Sequence, residues 1–216
     1  MRQCRREITA YMGIKDRKER QKQEIKRLIL DTARKLFLEE GFEKVTIRHI
    51  AERIEYSPAT IYLHFKDKDE ILFELHTEGF NKLYQRQQQV MKIKDPLKRL
   101  QKHAEAYLQF AMENKEYYDL MFIMRGPVRC IKDVHHWEIG MRSYDLVKLN
   151  VKDCMDAGLI PGNGLETAAF SLWALLHGIA SLIIRERCVM FPDEVIPSVV
   201  KGAAAYVLNG LTEKRK

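Results

Sequence analysis

The sequence predicts an all-α fold: an N-terminal three-helix helix-turn-helix domain joined to a larger C-terminal helical bundle, about nine helices in all. Three observations predict it. Apolar residues recur at i, i+3, i+4 and i+7 in the long segments. No stretch beyond Leu75 shows the alternation with period two that a half-buried strand requires. Helix-capping residues followed by short apolar runs come three times in succession between Thr46 and Leu72, the punctuation of helices too short to stand alone.

Residues 1–20 are basic and polar, lack the apolar core of a secretory signal, and show no helical period until late. They read as a basic N-terminal extension, with a solvated tail as the expectation and extra phosphate or minor-groove contacts as the alternative. The first helix then presents Ile25, Leu28, Ile29, Thr32, Ala33, Leu36 and Phe37 on one face and stops at Gly41. Thr46 stands at an N-cap, and Ile47, Ile50, Ala51 and Ile54 follow at helical spacing. Ser57 caps the next start, with Pro58 at the first helical position, where its missing N–H costs nothing. Ile61 and Phe65 point inward from that helix. Ala59, Thr60, Tyr62, Leu63 and His64 are then the set from which outward side chains are drawn, on a helix short enough to lie in a DNA major groove. Asp67 and Glu70 have capping-box spacing and open a longer helix to about Met91, with Ile71, Leu72, Leu75, Phe80 and Leu83 inward.

These residues carry a family resemblance. ARKLFLEEGFEKVTIRHIA and SPATIYLHFKDKDEIL, within Gln23 to Leu75, resemble the N-terminal DNA-binding domain of the TetR (tetracycline-repressor-like) bacterial regulators. The resemblance implies a domain at 21–68, a helical ligand-binding and dimerisation domain at 69–216, and an ordinary start near Met12. It also implies residue roles. Thr46 and Arg48 fall where family members touch phosphate and, for the arginine, sometimes a base edge; Thr60 and Leu63 fall where they reach bases. Tyr62, His64 and Lys68 fall where they hold the phosphate backbone, and Ser57 and Ala59 complete the expected DNA-binding set. The chemistry agrees, since cations and hydroxyl donors neutralise and anchor phosphates, and an apolar Leu63 can contact a thymine methyl. Two positions depart from the family. Glu55 stands where it usually has Gly, so the backbone either avoids positive φ or accepts strain of ~1 kcal/mol or more, and Tyr56 replaces a small aliphatic residue.

The C-terminal helices are expected at Pro96 to Glu113, around Tyr117 to Phe122 with Gly126-Pro127 as a stop, from about Val134 to Ala157, from Leu165 to Arg187, and from Pro192 to Leu211. In the first of these Leu97, Leu100, Ala104, Tyr107, Leu108 and Ala111 face inward. The fourth is apolar almost all round and must be covered on several sides. The fifth carries Val195, Ile196, Val199, Val200, Ala203, Val207 and Leu208, with Gly202, Ala204 and Ala205 allowing close approach. Two such helices facing their copies would form a four-helix homodimer interface, the region where the resembled regulators dimerise. Trp173, His177 and Gly178 resemble the Trp-His-Gly pattern of one C-terminal subgroup.

Tyr118, Phe122, Trp137, Met141, Tyr144, Phe170, Trp173 and His177 are the candidate ligand-binding residues, because Met and aromatic side chains make adaptable pocket walls. Taken singly, each is ordinary core by default, and His177 alone reads as a hydrogen-bonded core histidine. His135 and His136 are neighbours whose side chains diverge by about 100° on a helix, so no metal site is expected, and no cofactor. Cys4, Cys130, Cys154 and Cys188 have neither metal nor redox spacing and read as reduced thiols of a cytoplasmic protein. The apolar run Ala168 to Ile184 falls short of the ~20 residues of a spanning helix and reads as a buried one.

A formal charge of +7, from 37 Lys and Arg against 30 Asp and Glu, suits a polyanionic partner but decides little. The chain contains no glycine-rich phosphate loop, no metal-spaced His/Glu set and no nucleophile elbow, so an enzyme is not expected. The expected function is a transcriptional regulator, a homodimeric repressor released from a palindromic double-stranded operator by a small, mostly apolar effector. The alternative is a helix-turn-helix adaptor controlled by a protein partner. A cavity beside Trp137, Met141 and Phe170 separates the two.

Overall fold

The structure is a computed structural model that describes residues 2–124, 137–161 and 164–212, with side chains described between Asp16 and Gly210. Among the described residues there are nine α-helices and no strand: α1 Arg2–Glu40, α2 Ile47–Arg53, α3 Pro58–Tyr62, α4 Lys68–Val90, α5 Pro96–Glu113, α6 Lys115–Tyr118, α7 Glu138–Asp156, α8 Leu165–Ile184 and α9 Ile196–Thr212. A single π turn, Asp119–Ile123, continues α6. Val134, the His135-His136 pair, Gly126-Pro127 and Cys130 lie outside the described residues, as does the Cys4 side chain. The chain divides after Leu75, inside α4, into two compact units.

The first unit is built as its caps dictate. Thr46 Oγ1 accepts from His49 N–H at 3.1 Å and Ser57 Oγ from Thr60 N–H at 3.3 Å. Asp67 and Glu70 close the reciprocal box, with Glu70 N–H on Asp67 Oδ1 and Lys66 N–H on Glu70 Oε2. Ile29, Ala33, Phe37, Val45, Ile50, Ala51, Ile61, Ile71, Leu72 and Leu75 are fully excluded from solvent. Each large aliphatic among them contributes roughly 1.5–3 kcal/mol of burial, which holds two helices of seven and five residues that have no stability of their own. One expectation fails. Leu28 is 41 % exposed rather than inward, because the buried stripe of α1 runs through Ile29, Ala33, Leu36 and Phe37. Residues 2–20 are helical and continuous with 21–40, although the sequence shows no helical period there until late. Residues 16–20 are exposed, and the Lys, Arg, Glu and Gln run has high helix propensity, with pairs such as Gln23 to Glu19, at 2.8 Å, in support.

The turn between α2 and α3 is a Schellman motif on a glutamate. Tyr56 N–H reaches Ala51 O at 3.0 Å and Glu55 N–H reaches Glu52 O at 3.2 Å. Glu55 is therefore left-handed, with φ +59°. Of the two readings open at this position, the strained one holds, and Glu55→Gly should raise stability by about 1 kcal/mol. Urea unfolding is the measurement; a loss of stability would contradict the assignment of strain.

The second unit buries Leu100, Ala104, Tyr107, Leu108 and Ala111 of α5 as expected, with Leu97 half-buried, against Val147, Val151 and Cys154 of α7, Ala169, Leu172, Leu176 and Ala180 of α8, and Val200, Ala204 and Leu208 of α9. Cys154 is fully buried, and burial pushes its thiol up to about 11, which keeps it protonated and inert. The helix α9 begins at Ile196, four residues later than the spacing indicates, so Val195 lies before it and is 40 % exposed.

The long apolar helix also differs from expectation. With 20 residues and a mean hydropathy of 1.8 it is long and apolar enough to cross a membrane, yet only 22 % of that stretch is buried. Phe170 and Leu182 stand 56 % and 51 % exposed. It is thus not a buried core helix of a single chain.

A buried polar cluster joins α4, α5 and α7. The Arg99 guanidinium donates to Asn150 Oδ1 at 2.7 Å and Ile93 O at 3.1 Å, and pairs with Asp153. Asn150 Nδ2 meets His103 Nδ1 at 2.7 Å, and His103 Nε2 meets the Gln87 amide at 3.0 Å. Burial lowers the pKa of His103, and separately of His76, from 6.5 to about 4. The unfolded chain therefore binds protons that the folded chain refuses between those values, and stability falls as pH falls from about 6.5 toward 4. Urea midpoints stepped through that window should decline with each step; a flat profile would count against neutral buried histidines.

Candidate functional site

The outward residues of α2 and α3 and their adjoining turns form the first candidate surface. Arg48 is 81 % exposed in its side chain and pairs with Glu52 one turn on, at 2.9 Å. A solvent-exposed pair of this kind contributes well under 1 kcal/mol, so phosphate can displace the carboxylate. Tyr62 is 57 % and Leu63 77 % exposed, and Ala59 and Ser57 are exposed with Thr60 beside them. Neither the Tyr62 nor the Leu63 side chain takes part in the packing of the first unit's core, so both are available for contact. The capping hydroxyls of Thr46 and Ser57 accept backbone N–H groups through lone pairs, which leaves the Thr46 hydroxyl proton free to donate to a phosphate oxygen.

The remaining two expected contacts are more enclosed. His64 is half-buried, its Nδ1 has no partner among the described residues, and burial together with Lys22 and Lys26 lowers its pKa. It is a neutral donor, not a cation. Lys68 donates to Phe42 O at 2.6 Å and lies over the Phe42 ring at 4.2 Å. Its ammonium thereby ties the start of α4 to the turn after α1, a structural task alongside any phosphate contact.

The second candidate site lies wholly within the second unit. A partly open cavity of about 250 Å3 is lined by α4, α5, α7 and α8 and by the π turn. Six of the eight expected ligand residues line it: Phe122, Trp137, Met141, Tyr144, Phe170 and Trp173. Tyr118 and His177 do not. They stand behind the wall, where Tyr118 Oη lies 2.9 Å from Tyr107 Oη and 2.7 Å from His177 Nδ1, and Ser181 Oγ lies 3.4 Å from His177 Nε2. Burial raises the Tyr107 and Tyr118 pKa values and lowers that of His177, so all three are neutral. Trp173 and His177 are in contact at 5.9 Å between rings.

Seven further wall residues were not among the expected ligand residues: Phe80, Leu83 and Tyr107, expected only as inward-facing, and Gln87, Gly140, Ser143 and Val147, which the sequence did not single out. A signal for some of them was present. Gly140, Ser143, Val147, Asn150 and Cys154 follow a three-four spacing along one buried face of α7, and polar residues on a core stripe mark a buried network. Gly140 has a specific reason: a Cβ there would come within 2.2 Å of the Trp137 indole, which rests on the bare helix backbone.

Residues 29–75 match the family described as bacterial regulatory proteins, tetR family, and residues 100–204 match the tetracyclin repressor-like C-terminal domain. The chain belongs to the TetR family. Among curated TetR-like relatives, the uncharacterized HTH-type transcriptional regulator YobS of Bacillus subtilis is 25 % identical over 160 residues, covering 74 % of this chain and 79 % of its own. The HTH-type transcriptional repressor Rv1474c of Mycobacterium tuberculosis is 40 % identical over 58 residues, 27 % of this chain and 31 % of its own. The crystal structure of the TetR family transcriptional regulator PfmR from Thermus thermophilus superposes with a TM-score of 0.69 at 20 % identity, covering 86 % of this chain and 99 % of that one. The fold is therefore that of TetR-family regulators, and the outward face of α2 and α3 is the helix-turn-helix of a DNA-binding transcriptional regulator.

Proposed function

We propose that this TetR-family chain is a homodimeric, cytoplasmic repressor that grips a palindromic operator and is released from it by a small, mostly apolar effector. The observation that carries the reading is the aromatic cavity of about 250 Å3 beside Trp137, Met141 and Phe170, which favours a small molecule over a protein partner as the controlling signal. Thr46, Arg48, Ser57, Ala59, Thr60, Tyr62, Leu63, His64 and Lys68 are the residues assigned to DNA. The domain limits carried from the sequence, with DNA binding ending near residue 68, accompany that assignment.

Dimerisation through α8 and α9 is supported by the unburied apolar side of α8, by Tyr206 at 82 % exposure, and by the exposed small residues Gly202 and Ala205. A second copy is a natural cover for such a surface. Two recognition helices related by a twofold axis then read half-sites about one helical turn, ~34 Å, apart. Phe170 both lines the cavity and belongs to the exposed side of α8. A ligand there bears on the dimer contact, and so shifts the population toward a separation that no longer fits the operator. Trp173, His177 and Gly178 are consistent with the Trp-His-Gly subgroup.

The test is selection of bound duplexes from a random pool, followed by titration of the enriched site against salt. The expected product is a palindrome whose affinity falls steeply and log-linearly as salt rises. An unstructured consensus, or an affinity indifferent to salt, rejects the operator reading.

A further inference from the structure

The hydrogen-bond logic around the cavity specifies the chemistry of its occupant. Asn150 is fixed first: its Oδ1 accepts from Arg99 Nε at 2.7 Å and its Nδ2 donates to Leu146 O at 2.8 Å, so its amide has one sense. That Nδ2 also faces His103 Nδ1 at 2.7 Å, so Nδ1 is the ring's acceptor. His103 is 3 % exposed and neutral, and a neutral imidazole with its lone pair on Nδ1 carries its proton on Nε2. The Nε2–H must then donate, and the group facing it at 3.0 Å is the side-chain amide of Gln87. A donor cannot face a donor. Gln87 therefore turns its oxygen to His103 and its nitrogen to Ser143 Oγ, 2.7 Å from the other end of the amide. Ser143 becomes an acceptor from Gln87, and its own proton is released. Within a helix its other outlet is the carbonyl one turn back, a bond that slightly destabilises and bends a helix, so an acceptor in the cavity can compete for the proton.

Ser143 and Gln87 both line the cavity. Trp137 lines it too, and its Nε1–H is buried with no acceptor among the described residues. The Tyr107 hydroxyl, by contrast, is engaged by Tyr118 and Trp173. The spare buried polar capacity of this wall is thus two donors, set among aromatic rings, and no described residue lining it carries a formal charge.

We propose that the cavity takes an uncharged aromatic or otherwise flat apolar molecule bearing a carbonyl-type oxygen, which accepts from Ser143 Oγ–H and Trp137 Nε1–H. The inference rests on the reading of the cavity as a ligand site, and deepens it from "mostly apolar" to a neutral hydrogen-bond acceptor. Carboxylates and ammonium groups are excluded by the cost of stripping their water without a counter-charge.

Calorimetric titration of the full chain with four probes of one size tests it: benzophenone, diphenylmethane, diphenylacetate and diphenylmethylamine. Benzophenone should bind about tenfold more tightly than diphenylmethane, the value of a satisfied buried donor, and the two ions should bind more weakly than either. Ser143→Ala and Trp137→Phe should each narrow the ratio of ketone to hydrocarbon affinity, measured within each variant so that a change in the apolar wall affects both probes alike. Two variants, one inside α7 and one at its N-cap, guard against one that merely fails to fold. Equal binding of ketone and hydrocarbon, tighter binding of an ion, or no binding of any probe overturns the proposal. Release of the selected duplex is followed in parallel. If the ketone preference holds and DNA stays bound, the ligand-released repressor fails and the acceptor site stands.

Discussion

A Leu63→Glu chain should lose at least about a hundredfold in affinity for the selected duplex while its thermal unfolding is unchanged. Leu63 is 77 % exposed and caps the five-residue helix α3 from its C-terminal end, so nothing in the first unit's core depends on its side chain. On the proposed assignment of Leu63 to the DNA face, a carboxylate there sets a negative charge among phosphates, and like-charge juxtaposition at an interface costs several kcal/mol. Leu63→Gln supplies the control, being of similar size without the charge, and should fall between the two. Binding measured by fluorescence anisotropy at one fixed salt concentration gives the numbers. An affinity for Leu63→Glu within threefold or so of the parent would remove Leu63 from the DNA-reading face.

Arg99→Met should cost about 3 kcal/mol or more of stability in the second unit. The Arg99 side chain is 10 % exposed and serves three acceptors, Asn150 Oδ1, Ile93 O and the Asp153 carboxylate. Methionine fills the aliphatic volume but leaves those acceptors buried and unmet, and removing one partner of a buried set costs more than the set contributes as a whole. Asp153→Ala is the discriminating companion. The Asp153 side chain is 34 % exposed, so water can take over part of its work and the loss should be nearer 1 kcal/mol. Urea unfolding of the two variants should separate them clearly. A mild Arg99→Met would mean that the arginine is a passenger in the cluster.

The elements with explicit punctuation were the most legible in the sequence. Asp95 caps α5 by accepting from Lys98 N–H at 2.7 Å, Pro96 opens it, and its limits fall at the expected Pro96 and Glu113. Thr46, Ser57 and Asp67 likewise fixed α2, α3 and α4 through hydrogen bonds that single residue types announce. Elements without such marks were harder. The first half of α1 shows no apolar period in the sequence, so only helix propensity could have signalled it. The polar cluster went unread for the opposite reason: Arg99, His103 and Asn150 are residue types rarely placed in a core, and only their partners across three helices make them interior ones. The cavity was legible in its aromatics and illegible in its polar wall. Tyr118 and His177 stand one layer behind the lining, because spacing along α6 and α8 gives a face but not a depth.

The chain has two tryptophans, Trp137 and Trp173, and both stand in the wall of the same cavity. The first unit has none. Indole emission from the intact protein therefore reports on that one enclosure alone, with no contribution from the helices that meet DNA. Occupancy of the cavity can be followed as a change in colour or intensity while an added duplex is followed at its own wavelength, so the same cuvette reads signal reception and grip on DNA as separate channels without any label on the protein.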